Sequence, residues 1–150
     1  ASGNVVFEQS VPEGTVVWPQ PIVSNNGTVA LITEGRLDDP QREDKLLVYD
    51  QSGMELLAYP RPGERALVPL DISKLSSNGR YLAVRVDFGH REGPKTVFFD
   101  LVKPATRKAD QVYVVYDITD GGLVTADYFN REKREIISVK IHLKNFLGGE

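Results

Sequence analysis

Apolar and polar side chains alternate along most of this chain with a period of two, the spacing that puts successive side chains on opposite faces of an extended strand. Leu82, Val84, Val86 and Phe88 interleave with Tyr81, Ala83, Arg85 and Asp87, and Ile137, Val139, Ile141 and Leu143 interleave with Ser138, Lys140, His142 and Lys144. Each stretch reads as a strand with one dry and one wet face, the pattern of an antiparallel sheet. Shorter runs rich in Val, Ile, Leu, Tyr and Phe and bounded by Gly, Pro, Asn or Asp extend the series: Val5–Phe7, Thr15–Trp18, Thr28–Thr33, Lys45–Tyr49, Glu55–Tyr59, Lys95–Leu101, Gln111–Ile118 and Leu123–Phe129. No amphipathic helix is expected. The stretch Arg131–Leu147 lacks Gly and Pro, but its alternation argues for strand, and at most one helical turn is expected at Ile72–Leu75.

Turn chemistry joins these runs into a meander. Asp50-Gln51-Ser52-Gly53 combines an Asp able to bond the backbone two residues on with a Gly able to take positive φ, and Thr119-Asp120-Gly121-Gly122 does the same before Leu123. Consecutive strands are therefore expected to be neighbours.

The 150 residues are 41% apolar and 26% charged with a net charge of −3, which describes one globular domain and excludes a long disordered tail. With no Cys, disulfide scaffolds and thiolate metal sites are ruled out. Residues 1–100 carry 10 basic and 14 acidic side chains and residues 101–150 carry 8 and 7, so no basic stripe for nucleic acid emerges. Arg131, Lys133 and Arg134 alternate with Glu132 and Glu135, as in a solvated turn. No apolar run approaches a membrane span, so this segment is not expected to insert into a bilayer. Ala1 in place of Met points to processing or excision, and the expected location is extracytoplasmic, periplasmic or secreted, although a chain without Cys suits the cytoplasm as well.

The chain also repeats itself. Ser24-Asn25-Asn26-Gly27-Thr28-Val29-Ala30-Leu31-Ile32 aligns with Ser76-Ser77-Asn78-Gly79-Arg80-Tyr81-Leu82-Ala83-Val84 at an offset of 52, and Leu47-Val48-Tyr49-Asp50 aligns with Val97-Phe98-Phe99-Asp100 at 50. Val114-Val115-Tyr116-Asp117 reads as a degenerate third copy, giving units near 15–59, 66–101 and 111–143.

These segments resemble blades of TolB-like and WD-repeat-like β-propellers, in which a Ser-x-(Asn/Asp)-Gly turn opens a strand and an aromatic-Asp pair ends the next. The resemblance implies an all-β fold, an antiparallel meander of propeller-blade-like repeats; a β-sandwich that reuses Asn-Gly turns is the alternative. A closed propeller takes about four to eight blades, and this chain makes roughly three by its repeat period. The expectation is then a fragment of a larger protein, a chain that completes a ring or sheet with another, or a sandwich. Contact with a protein partner, or self-association, follows for the first two because open sheet edges are adhesive.

Two long polar connections occupy matching places in the repeat, Glu34–Asp44 and Gly89–Pro94. Both are expected on one rim of the sheets, where binding residues collect, so Arg36, Asp38, Asp39, Arg42, His90 and Arg91 are the candidate contacts. Trp18, beside Pro19, is a candidate aromatic platform, and Tyr59 beside Pro60 is similar, although packing over a sheet edge is the better account of both. Asp38, Asp39, Glu43 and Asp44 lack the spacing of a calcium loop and stand among Arg36 and Arg42, so no metal is expected. Asp117 and Asp120 read as turn formers. His90 and His142 come with no nucleophile elbow, phosphate loop or metal-spaced partner, so no catalytic residue and no cofactor is assigned. The expectation is a non-catalytic protein-binding or assembly domain acting through rim loops and exposed sheet edges. The alternatives are an accessory β-domain of a hydrolase or peptidase and a carbohydrate-binding sandwich.

Overall fold

The computed structural model describes residues 8, 10, 13–17, 20–36, 38, 40, 42–62, 64 and 68–148; the expected strand at Val5–Phe7 and the candidates Trp18 and Asp39 lie outside them. The described chain is all-β, with three antiparallel sheets, one short helix and no closed barrel. The first sheet holds β1 (Val16–Val17) and β2 (Ile22–Val23), both paired with β3 (Val29–Glu34), followed by β4 (Lys45–Tyr49) and β5 (Glu55–Tyr59). The second is the meander β6 (Val68–Leu75), β7 (Tyr81–Asp87), β8 (Pro94–Asp100) and β9 (Ala105–Lys108). The third is β10 (Val114–Ile118), β11 (Leu123–Asn130) and β12 (Glu135–His142), after which α1 (Leu143–Gly148) begins.

The three sheets stack face to face. Leu82, Val84 and Val86 of β7, with Val97 and Phe99 of β8, pack against Ala30, Ile32, Leu46, Val48 and Tyr59 of the first sheet. The alternate residues Tyr81, Ala83 and Phe98 pack against Ile118, Val124, Ala126 and Leu143. This corrects the expectation of one wet face on β7: Tyr81 and Ala83 are as fully buried as Leu82 and Val84, because the second sheet is the middle layer. On β12 the alternation is as expected, with Ile137, Val139 and Ile141 half-buried and Ser138, Lys140 and His142 exposed. Phe98 and Phe99 thus serve different cores, Phe99 meeting Tyr59 edge-on at 5.2 Å and Phe98 meeting Phe146 at 5.7 Å. Each fully buried side chain of this size contributes about 2–3 kcal/mol.

Gly27 and Gly79 occupy equivalent turns. Each follows the first strand position of its sheet, each has positive φ (84° and 71°), and each donates its N–H to the carbonyl of a serine three residues earlier, Ser24 or Ser76. The serine hydroxyl accepts a backbone N–H at the entry to the next strand, that of Thr28 just before β3 in one case and of Tyr81 at the start of β7 in the other, both at 3.0 Å. Thr119 does the same for Leu123 at 3.0 Å, with Gly122 at φ 89°. These turns are also bonded to one another across the sheets. Asn25 donates its N–H to the Ser77 carbonyl at 2.9 Å. Asp120 Oδ1 accepts both the Asn78 N–H at 2.9 Å and the Ser77 hydroxyl at 2.8 Å. One end of the stack is therefore a latched row of turns.

Several expectations are overturned. Ile72–Leu75 is strand, part of β6, whose two register shifts and Pro69 break the alternation that would have revealed it. The chain becomes helical at Leu143, because Leu143 donates its N–H to the Gly122 carbonyl and turns the backbone toward the second sheet, where Phe146 packs on Phe98. Val114–Asp117 is no third copy of the aromatic-Asp strand: it lies on β10, the first strand of its sheet, whereas the matched segments lie on β4 and β8, the third.

Candidate binding surface

In a meander, connections between second and third strands leave at the end opposite the first-to-second turns. The described residues of the β3–β4 connection (35, 36, 38, 40 and 42–44) therefore share a rim with residues 88–93 and 131–134, away from the latched turns. The rim resolves into two parts with different chemistry.

Over the first sheet, the candidate side chains are occupied with their own loop. Arg42 makes a two-pronged bond to Asp44, 3.0 and 3.1 Å, and reaches Glu34 at 3.8 Å; Asp44 also accepts the Gly35 N–H at 3.0 Å. The bond to Asp44 raises the Arg42 guanidinium further above its usual value. Arg42 is thus a brace across the base of the loop. Arg36 pairs with Asp38 at 3.1 Å, with both side chains more than half exposed, a pair of small energetic weight.

Between the second and third sheets the rim opens into a groove of about 850 Å³ that holds His90, Arg91, Phe129 and Arg131. Among the described residues neither Arg91 nor Arg131 has an ion-pair partner, whereas Glu92 of the same loop is engaged by Lys108. Phe129 is 57% exposed. Arg134, in the adjoining turn, has φ 52°, the only positive φ outside glycine among the described residues, a conformation costing about 1 kcal/mol for a side chain of this kind. The structure thus brings His90 and Arg91 together with Arg131 and leaves Arg36, Asp38 and Arg42 out of the groove.

The outer face of the third sheet continues from the groove. Asp127 accepts the Ser138 hydroxyl at 2.7 Å and the Tyr116 hydroxyl at 2.8 Å. The Ser138 bond, then the Tyr116 bond, hold the Asp127 carboxyl below its usual value, and the bond to Asp127 raises the Tyr116 phenol. Val114 and Ile136 are exposed nearby at 58% and 71%.

Tyr59 offers no aromatic platform: it is 7% exposed, and burial pushes its phenol up to about 12. No cluster of metal-ligating side chains occurs among the described residues, and none of their helices is long and apolar enough to cross a membrane. His142 lies exposed on β12.

Phe129 and Arg131 are not among the residues the sequence singles out. Phe129 is an apolar residue on the Thr125–Asp127 face of its strand and reads simply as the end of a strand run, and Arg131 sits in a charge run that reads as solvated; only the approach of the β11–β12 turn to the β7–β8 loop joins them to Arg91. Asp120 was legible as a turn former but not as the acceptor that ties two sheets together. No family model matches the chain, and a search of curated proteins gave no match.

Proposed function

We propose that this chain is a non-catalytic protein-binding or assembly domain of propeller-blade-like sheets, whose working surface is the rim groove between the second and third sheets. The observation that carries this reading is the company of Arg91 and Arg131, uncompensated by ion pairs among the described residues, with an exposed Phe129. Arginine and aromatic side chains on a rigid scaffold are the groups that dominate protein interfaces. The blade reading is supported by the equivalent placement of the Gly27 and Gly79 turns and by the first strands: β6 touches β3 on one side and β10 on the other, as strands near a common axis would. The groove lining, with four basic side chains (Arg85, Arg91, Lys95 and Arg131) and two acidic ones (Glu92 and Glu132), suits a partner carrying acidic and apolar side chains together, with binding by shape and hydrogen bonding.

The test is site-specific photo-crosslinking in the cell of origin, with the reactive group at position 129 or, as a control at the latched end, at position 51. The reading requires one protein to be captured from 129 and not from 51. That protein, once purified, should bind Arg91→Glu/Arg131→Glu at least about 10-fold more weakly than the unaltered chain. Equal capture from both positions, or binding indifferent to the charge reversal, removes the rim.

A further inference from the structure

We propose that the outer edge of β12 is a strand-acceptor site, where an extended acidic segment of a partner protein adds a fourth strand to the third sheet. The proposal rests on the binding reading above but on different atoms.

The first observation is a lane that two sheets fill and the third does not. In the first sheet β5 lies on β4, with Tyr59 opposite Leu46 and Leu57 opposite Val48. In the second, β9 lies on β8, with Lys108 opposite Val97 and Thr106 opposite Phe99. β12 is the corresponding third strand: Leu123 faces His142 as Tyr81 faces Asp100, so Val139 stands where Val97 does and Ile141 where Phe99 does. Among the described residues no strand pairs with its outer edge. The polypeptide itself leaves the lane, because α1 carries Phe146 onto Phe98 and its carbonyl accepts a bond from Arg107 of β9 at 2.8 Å.

The second observation is that, of the usual safeguards of an edge strand, β12 carries charged side chains such as Lys140 but none of the backbone devices. Edge strands are normally short, bulged or interrupted by proline. β9 has four residues, and the pairings of β5 and β10 are both bulged. β12 runs eight residues without proline, in unbroken register from Asn130↔Glu135 to Leu123↔His142. Every second residue of such a strand turns its N–H and C=O away from its neighbour, so about half of β12 offers backbone bonds to a newcomer.

The third observation selects the newcomer. Of the four outer-face side chains of β12, Ile136, Ser138, Lys140 and His142, none is acidic and Lys140 is a cation; the strand's single carboxylate, Glu135, lies on the other face at the far end. Lys140 and His142 are exposed on the outer face, while Ile137, Val139 and Ile141 form the half-buried face. A segment alternating acidic and apolar residues would set its carboxylates beside Lys140 and His142 and its apolar side chains beside Val139 and Ile141. Backbone bonds give such an addition its affinity and the side-chain alternation its specificity.

The experiment uses the full chain, isotope-labelled, with residue-resolved hydrogen exchange during titration with a capped eight-residue peptide alternating glutamate and valine. A lysine–valine peptide of the same length is the comparison. The glutamate peptide should protect alternate amides of residues 135–142 and bind at least about 10-fold more tightly than the lysine peptide. Lys140→Glu/His142→Glu, both exposed positions, should reverse that order with an unchanged unfolding midpoint. Equal binding of the two peptides, an unreversed order, or no protection of β12 overturns the proposal. Protection confined to residues 88–93 and 129–134 also overturns it while leaving the rim groove standing, and loss of the position-129 crosslink removes the groove without touching the β12 result.

Discussion

Asp120 holds Asn78: its Oδ1 accepts the Asn78 backbone N–H at 2.9 Å while also accepting the neighbouring Ser77 hydroxyl, so a turn of the third sheet is bonded to a turn of the second. Asn25 repeats the relationship one sheet earlier through the Ser77 carbonyl. Stacking of apolar faces is non-directional, whereas these bonds fix the height at which one sheet meets the next. The rim groove depends on that height, since its two walls belong to different sheets.

Asp120→Ala should therefore destabilise the chain by about 1 kcal/mol, the net worth of an ordinary hydrogen bond, since exposure to water discounts the charge on the acceptor. Urea denaturation should show a lower midpoint at unchanged slope. Protection from hydrogen exchange should fall at residues 77–79 more than at residues 51–53, which belong to a turn with no bond to Asp120.

Gly79→Ala and Gly89→Ala separate backbone strain from turn docking. Both glycines have positive φ, 71° and 94°. A Cβ on Gly79 would stand 2.7 Å from the Thr28 Cβ and 2.5 Å from Asn26 Oδ1, whereas one on Gly89 meets nothing within 4 Å. Gly89→Ala should cost only the strain, about 1–2 kcal/mol, and Gly79→Ala about 1–3 kcal/mol more as the two turns are forced apart. Denaturation of the two variants side by side measures the difference; equal losses would mean that the turns yield without cost.

Asp100 predicts the acid side of the stability curve. Burial alone would raise its carboxyl, but a two-pronged bond from Arg80, at 3.1 and 2.9 Å, and N–H bonds from Lys103 and Val102 outweigh that and hold it below its usual value. A carboxyl depressed in the folded state stabilises fully above its unfolded pKa near 4 and loses that contribution as pH falls through the folded value. Asp100→Asn should thus lie below the unaltered chain in unfolding free energy at pH 7, and the gap should narrow steadily below about pH 4. Denaturation at pH 7 and at pH 2.5 checks the sign.

Phe98→Ala tests the second core. Phe98 is fully buried and touches both Tyr113 and Phe146, so its removal should cost about 3–5 kcal/mol. It should also free α1, seen as faster exchange at residues 146–148 than Phe99→Ala produces from the other core.

The sequence disclosed elements whose side chains respond to a single dry layer and hid those that do not. β12 alternates because only one face is covered. β7 alternates as well, but the small apolar Ala83 and the amphipathic Tyr81 occupy its second face, so its burial on both sides could not be read from polarity. Val68–Leu75 is obscured by Pro69, Asp71 and two bulges, and Ala105–Lys108 has almost no apolar content because it is an edge strand. Ser24, Gly27, Ser76 and Gly79 were legible as turns since their chemistry is local. The groove was not, because Arg91 and Arg131 lie 40 positions apart and meet only through the stacking of two sheets.

The most direct test of a binding surface at the rim is a hydrogen-exchange footprint of the full chain with and without the protein captured from position 129. Residues 88–93 and 129–134 should gain protection on binding, while the turns at 24–28, 76–81 and 119–123 exchange as before. Protection centred on those turns, with the groove unchanged, would contradict the account.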